Sequence, residues 1–161
     1  LEVLLDLHTR EGIVFEAGRR LPPAEAEAYL ESAWEYWVND AFWLNAPCKA
    51  FDEGTERLLV PQEGRPALLV QYQTGGVTPG DAYLWELAPD YKPQAWRMWV
   101  KIIPVGGLKM SWEGWQVLPT GAEIATLHHN VVTLPISEVQ GARSLAALIS
   151  GGDPFGSLVD R

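Results

Sequence analysis

The sequence predicts an α+β fold: a curved antiparallel β-sheet, a half-barrel, wrapped around one main helix. Three observations predict it. One segment near the start repeats its apolar residues at helical spacing. From Thr55 onward, short apolar runs alternate with turn chemistry spaced too closely for helical crossovers. Within those runs the largest rings fall on alternate positions, so they share a sheet face.

The elements follow in order. Residues 1–7 and 13–16 read as two short strands, joined by His8-Thr9-Arg10-Glu11-Gly12 with Gly12 as the tolerant turn position. The helix is expected over 23–38, since Pro22 and Pro23 suit a first turn whose N–H groups lack partners anyway. Ala26, Tyr29, Leu30, Ala33, Trp34 and Trp37 fall on its apolar face, which is expected to be buried. Glu27, Glu31 and Glu35 form an acidic stripe elsewhere, so packing must stabilise this helix. Residues 39–54 read as an irregular loop, because Asn39-Asp40 and Asn45-Ala46-Pro47 are turn signals. Phe42, Trp43 and Leu44 are costly to leave in water, so this loop is expected to tuck inward.

Strands are expected over 55–60, 67–72, 82–87, 95–103, 108–118, 123–129 and 131–139. Thr78-Pro79-Gly80-Asp81 has the Pro-Gly centre of a type II turn, and "APDYKP", "PVGG" and "LPTG" separate later strands. A short helix is expected in "GARSLAALIS", ended by Gly151-Gly152.

The stretch "WRMWVKIIPVGGLKMSWEGW" holds four tryptophans. Alternation puts Trp96, Met98, Val100 and Ile102 on one face, and Arg97, Trp99 and Lys101 on the other, with the guanidinium free to stack on the ring. Tyr83, Trp85 and Leu87 share a face of the preceding strand, and Met110 and Trp112 one of the following strand. Gly114 marks a bulge that swings Trp115 round. The rings either fill a core, with Met98 and Met110 as gap fillers, or line a concave surface whose gaps admit an apolar ligand.

The bulk numbers set limits. A chain of 161 residues, 47% apolar and 20% charged, fits a single domain over 1–161 with a real core. The net charge of −9 repels phosphate backbones, which argues against nucleic acid as partner. A single cysteine, Cys48, allows no intrachain disulfide. No apolar run reaches the roughly 20 residues needed to span a bilayer. A strand beginning at Leu1 rather than after a Met leads us to expect a missing N-terminal segment.

Taken together, "GDAYLWEL", "PQAWRMWV" and "WEGWQVLPTGAEIATLHH" resemble the LolA-like superfamily of periplasmic lipoprotein carriers and related localisation factors. The shared elements are Pro93 to Trp96 and Gln116 to Gly121, and the resemblance covers about 67–129. "NDAFWLNAPCKAFDEG" with "GGVTPGDAYLW" looks like an uncharacterised bacterial branch of that group. The resemblance implies a periplasmic or cell-envelope protein whose concave face binds acyl chains or other apolar groups. It departs from the carriers in lacking their opening helix and any residue matching their arginine-anchored lid.

Other constellations are weaker. His128 and His129 point to opposite faces of a strand and cannot readily share a metal. Asp40, Asp52 and Asp81 fit cap and turn roles. Asn39, Asp40, Asn45 and Lys49 could orient a headgroup or hold their loop. Lys49 could lower the Cys48 thiol pKa if the two are adjacent in space.

Three readings follow. The first is a non-enzymatic envelope protein binding an apolar small molecule or lipid, with no cofactor and no metal. Its ligand-binding residues would be Trp34, Trp37, Trp43, Trp85, Trp96, Met98 and Trp112, with Asn39 and Asp40 near the mouth. The second is a small hydrolase-type enzyme using Asp40 or Asp81 with His128 in the same cavity. The third is an interaction domain docking a protein partner.

Overall fold

The computed structural model describes residues 1–62, 64–150 and 152–159. It is α+β, with antiparallel sheets that do not close and one main helix. The chain divides into two compact units: residues 1–41 with the described part of 142–161, and residues 42–141.

The first unit opens with β1 (Glu2–Leu5), β2 (Gly12–Glu16) and β3 (Arg19–Arg20), paired antiparallel in that order. Val14, Leu21 and Ala26 form its core, with Val3 and Leu30 packed against them. Gly12 plays a different part from the one expected. It lies within β2 opposite Leu5, and a Cβ there would collide with the Leu4 carbonyl and the Leu30 side chain. The left-handed turn residue is Arg10, at φ 61°.

α1 (Pro23–Lys49) is longer than expected. The helix continues through the anticipated loop, broken only at Asn45 (φ −144°, ψ 29°), two residues before Pro47. Pro47 has no N–H to bond back to the Trp43 carbonyl and its ring crowds that preceding turn, which is where the helix breaks. The expected apolar face of the helix is only partly buried. Ala26 is buried and Leu30 half-buried, but Tyr29 and Trp37 are more exposed than a core face requires, at 39% and 37%. Trp34 stacks on Trp37 with centroids 5.4 Å apart, and the Arg10 guanidinium sits 4.2 Å over the Trp34 ring.

The second unit is built on a five-stranded antiparallel meander: β4 (Thr55–Gln62), β5 (Arg65–Tyr72), β6 (Ala82–Leu87), β7 (Pro93–Trp99) and β8 (Leu108–Ser111). The Pro79-Gly80 turn forms as expected, with Gly80 at φ 99° and Asp81 N–H donating to the Thr78 carbonyl.

Two expected strands end early. β7 stops at Trp99, so Ile102 is 76% exposed and does not extend the apolar face. The Asp81 carboxylate accepts the Lys101 N–H and fixes this turn, while the Trp99 ring lies on Gly106 and Gly107. The strand expected over 108–118 breaks at Gly114, φ 63°, into β8 and β9 (Gln116–Val117).

The last strands are short. β9 pairs with β10 (Glu123–Ile124), and β11 (Leu127–His129) with β12 (Thr133–Pro135). β11 lies beside β8, where His129 N–H donates to Ser111 Oγ and Asn130 Nδ2 to the Lys109 carbonyl. The predicted late helix forms as α2 (Leu145–Leu148), capped by Ser144 Oγ. Of its expected stop, Gly151 lies outside the described residues. α3 (Gly156–Val159) was not anticipated.

Candidate functional site

The ring-bearing sheet face of the second unit is the candidate site. In β6, Tyr83, Trp85 and Leu87 are buried on alternate positions, and β7 buries Trp96 and Met98. Register places Trp85 opposite Trp96, Tyr83 opposite Met98, and Trp96 opposite Met110. The result is a triangle of indoles. Trp85–Trp96, Trp85–Trp112 and Trp96–Trp112 have centroids 4.8, 4.9 and 5.0 Å apart. Such tilted and edge-to-face pairs suit the ring quadrupole and add about 0.5–1.5 kcal/mol each beyond area burial.

Phe42 and Trp43, from the later turns of α1, pack against this cluster and meet the triangle at Trp96. Phe42 stacks on Trp96 at 5.4 Å and touches Tyr83 and Tyr72 at 4.8 and 5.3 Å. Trp43 meets Trp96 edge-on at 5.1 Å. Ala46 and Ala50 are small enough to let the segment lie close, and both are buried. The expected inward tuck of Phe42 and Trp43 therefore occurs, on a helix rather than a loop.

His128 closes one side. It is fully buried, 4.4 Å from the Trp112 ring and 5.4 Å from Trp43, with Nδ1 3.0 Å from the Ser111 carbonyl. Burial holds its pKa below the ordinary histidine value, and the backbones of Ser111 and Trp43 oppose this only in part. His129 points away, half exposed, with Nε2 3.2 Å from Glu113 Oε1. The two histidines thus face opposite ways, as alternation requires.

The polar accounting of this cluster is unusual. The Nε1 atoms of Trp85, Trp96 and Trp112, the Tyr72 hydroxyl and His128 Nε2 are buried and lack hydrogen-bond partners of ordinary geometry among the described residues. A buried donor without an acceptor is costly. Burial also drives the Tyr72 and Tyr83 phenols well above their ordinary pKa, with Asp52 adding to the first and Asp81 to the second.

The opposite sheet face is ionic. Glu86 receives Arg97 Nε at 3.0 Å and Lys109 Nζ at 2.5 Å. Partial burial alone would raise the Glu86 pKa, but the two cations outweigh it and hold the carboxyl below its ordinary value. Arg97 is therefore engaged by a carboxylate, where the sequence allowed stacking on Trp99.

An open cleft of about 560 Å³ adjoins the cluster, lined by Asp90, Lys92, Gln94, Trp112, Glu113 and Trp115 among others. Lys92 Nζ lies 4.7 Å over the Trp115 ring and pairs with Glu123. This cleft was not legible in the residues, because it forms where Gly114 turns the chain between two strands.

The remaining sequence-predicted residues fall as follows. Trp43, Trp85, Trp96, Met98 and Trp112 come together in the cluster. Trp34, Trp37, Asn39 and Asp40 belong to the first unit, where Asn39 Nδ2 donates to Asp40 Oδ1 at 3.1 Å. Lys49 Nζ lies 3.4 Å from Asp52 Oδ2, and Cys48 is exposed. Asp81 is buried with both oxygens occupied, by the Thr78 hydroxyl and the Lys101 N–H. It follows the turn next to Ala82, which faces Trp99, whereas Ser111 beside His128 faces Ala95. Four residues of strand, roughly 13 Å, separate those two levels, so Asp81 and His128 do not form a catalytic pair.

No group of three or more metal-ligating side chains occurs among the described residues. No described helix is long and apolar enough to cross a membrane. The site thus defines an antiparallel α+β unit with an aromatic sheet face. Compared with known protein families, curated proteins and solved structures, the chain has no match.

Proposed function

We propose that the aromatic face of the second unit binds an apolar ligand, an acyl chain or the lipid of a lipoprotein, in a non-enzymatic protein of the bacterial envelope with a LolA-like half-barrel. The observation that carries this reading is the way the indole triangle is covered. Phe42 and Trp43 pack against the cluster through Trp96, the indole shared with Trp85 and Trp112, on a helix end that breaks two residues later at Asn45. An occupant would take the place of these two rings. The rings stand 4.4 to 6.3 Å apart, so a chain enters only by displacing one of them.

The unpartnered Nε1 atoms support the same reading. An ester or amide carbonyl at the head of an acyl chain would accept from one of them, converting a penalty into a hydrogen bond. The hydrolase alternative loses its Asp81–His128 pair, for the spacing given above.

Tryptophan emission tests the proposal. Titration with palmitate, and separately with a tripalmitoyl lipopeptide, is expected to shift the emission maximum. At a hundredfold excess over Kd it should also stabilise the protein by about 2.7 kcal/mol. Unchanged emission and unchanged Tm with both ligands would remove the acyl-binding reading.

A further inference from the structure

β4 is one of the two edge strands of the five-stranded sheet, and at eight residues it is long for an exposed edge. Its backbone parity can be read from its neighbours. Gln73 N–H donates to the Gly54 carbonyl, so residues 54, 56, 58, 60 and 62 bond inward to β5. Arg57, Leu59 and Pro61 therefore turn their backbone groups outward. Pro61 sits where a missing N–H costs the sheet nothing.

Natural edges are usually guarded by charge. Here the basic guard is drawn back. The Arg57 Nη1 donates to the Ala50 carbonyl at 2.8 Å and to Thr55 Oγ1 at 2.7 Å, with its guanidinium 4.8 Å over the Phe51 ring. The centre of the edge is left as Leu58-Leu59-Val60, with Leu58 61% and Leu59 62% exposed. This stretch carries no charge on a protein whose net charge is −9.

We infer that β4 pairs antiparallel with β4 of a second copy of this chain, with Leu59 opposite Leu59 of that copy. The strand is self-complementary in this register. Leu58 faces Val60 on one side of the ribbon and Glu56 faces the neutral Gln62, while Leu59 meets its own counterpart on the other. Each Leu59 exchanges both backbone hydrogen bonds, and each Arg57 N–H reaches a Pro61 carbonyl, while the Arg57 carbonyl opposite that proline gains no bond in return. Centring on Arg57 would instead set two guanidinium-bearing residues opposite each other, which is destabilising. The second copy is favoured over a charged partner because the edge is apolar and neutral, so burial and backbone bonding drive it.

The test uses sedimentation and cross-linking. Wild type is expected to show a dimer fraction that rises with concentration and with salt, because salt screens the repulsion between two acidic copies. Leu59→Lys should weaken dimerisation by roughly tenfold or more, with Tm of the monomer within about 2 °C, since the side chain is exposed. In a Cys48→Ser background, Leu59→Cys should give a disulfide-linked dimer on mild oxidation. Directly opposed residues of this kind lie about 5.5 Å apart, inside the bridging range. Leu58→Cys should not link, since its own counterpart would lie two positions along, roughly 8 Å away. A monomer at every concentration, a dimer untouched by Leu59→Lys, or linking of Leu58→Cys as readily as Leu59→Cys would each overturn the inference.

Discussion

Trp85 and Trp96 stand directly opposite each other on neighbouring strands, with ring centroids 4.8 Å apart and planes inclined by 59°. Trp96 is fully buried and touches Phe42, Trp43, Tyr83, Trp85 and Trp112. Among the described rings of the sheet layer, it is the one that touches both Phe42 and Trp43 from the helix end. Trp96→Ala is therefore expected to cost about 3–5 kcal/mol in urea denaturation, near the whole stability of a small unit. Trp99→Ala, from the same strand but 43% exposed, should cost markedly less.

Phe42 distinguishes a core role from a covering role. Phe42→Ala removes a partly buried ring from three aromatic partners and should lower stability by about 2–3 kcal/mol. If the covering segment competes with an acyl chain for the same face, the variant should also bind palmitate more tightly than wild type. Removing the competing ring raises the population of the binding-competent state. A loss of stability with no gain in affinity would mark Phe42 as core alone. Isothermal titration of both proteins measures the difference.

Much of the sheet face was legible in the residues. Tyr83, Trp85 and Leu87 alternate cleanly, and a strand of that pattern has only one way to bury its rings. The Pro79-Gly80 turn was equally legible, since proline followed by glycine at the two central positions favours a type II turn. The helix end was not. Asn39, Asp40, Asn45 and Pro47 are all local turn signals, and they are overridden because Phe42, Trp43, Ala46 and Ala50 find partners on a sheet made from later residues. The early end of β7 was hidden for a similar reason. Ile102 looks apolar enough to continue the face, but the Asp81 contact that turns the chain comes from 20 residues upstream. The face of His128 was not read from the strand expected over 123–129, because that strand breaks between Ile124 and Leu127 and its alternation does not carry through.

Two titrations should shape the pH dependence of stability. His128 has a folded pKa below its ordinary value of 6.5, so the unfolded chain binds the proton more readily. Stability is then fully present above about pH 6.5 and falls as pH drops toward the folded pKa. Glu86 has a folded pKa below its ordinary 4.5, and its contribution is likewise present above that value and lost as pH falls through the folded pKa. Denaturation midpoints should therefore decline in two stages, the first beginning near neutrality and the second below about pH 4.5. His128→Gln should be less stable at pH 7.5, yet lose the first stage. Retention of that stage in the variant would assign it elsewhere.

The Gly106-Gly107 pair separates steric from conformational demand for glycine. A Cβ on Gly106 would lie 2.8 Å from Trp99 Cδ1, but the residue is not at positive φ. Gly107 has φ 75°, and its Cβ would meet the same ring at an easier 3.4 Å. Gly106→Ala should then cost about 1 kcal/mol, because the half-exposed Trp99 ring can shift. In a Trp99→Ala background that cost should vanish, leaving a coupling of similar size between the two positions. Gly107→Ala should cost about 1–2 kcal/mol in either background, since its penalty resides in the left-handed backbone rather than in a neighbour. A thermal denaturation double-mutant cycle over the two pairs reads both quantities. Equal coupling for Gly106 and Gly107 would show that the backbone at 107 relaxes out of the left-handed region.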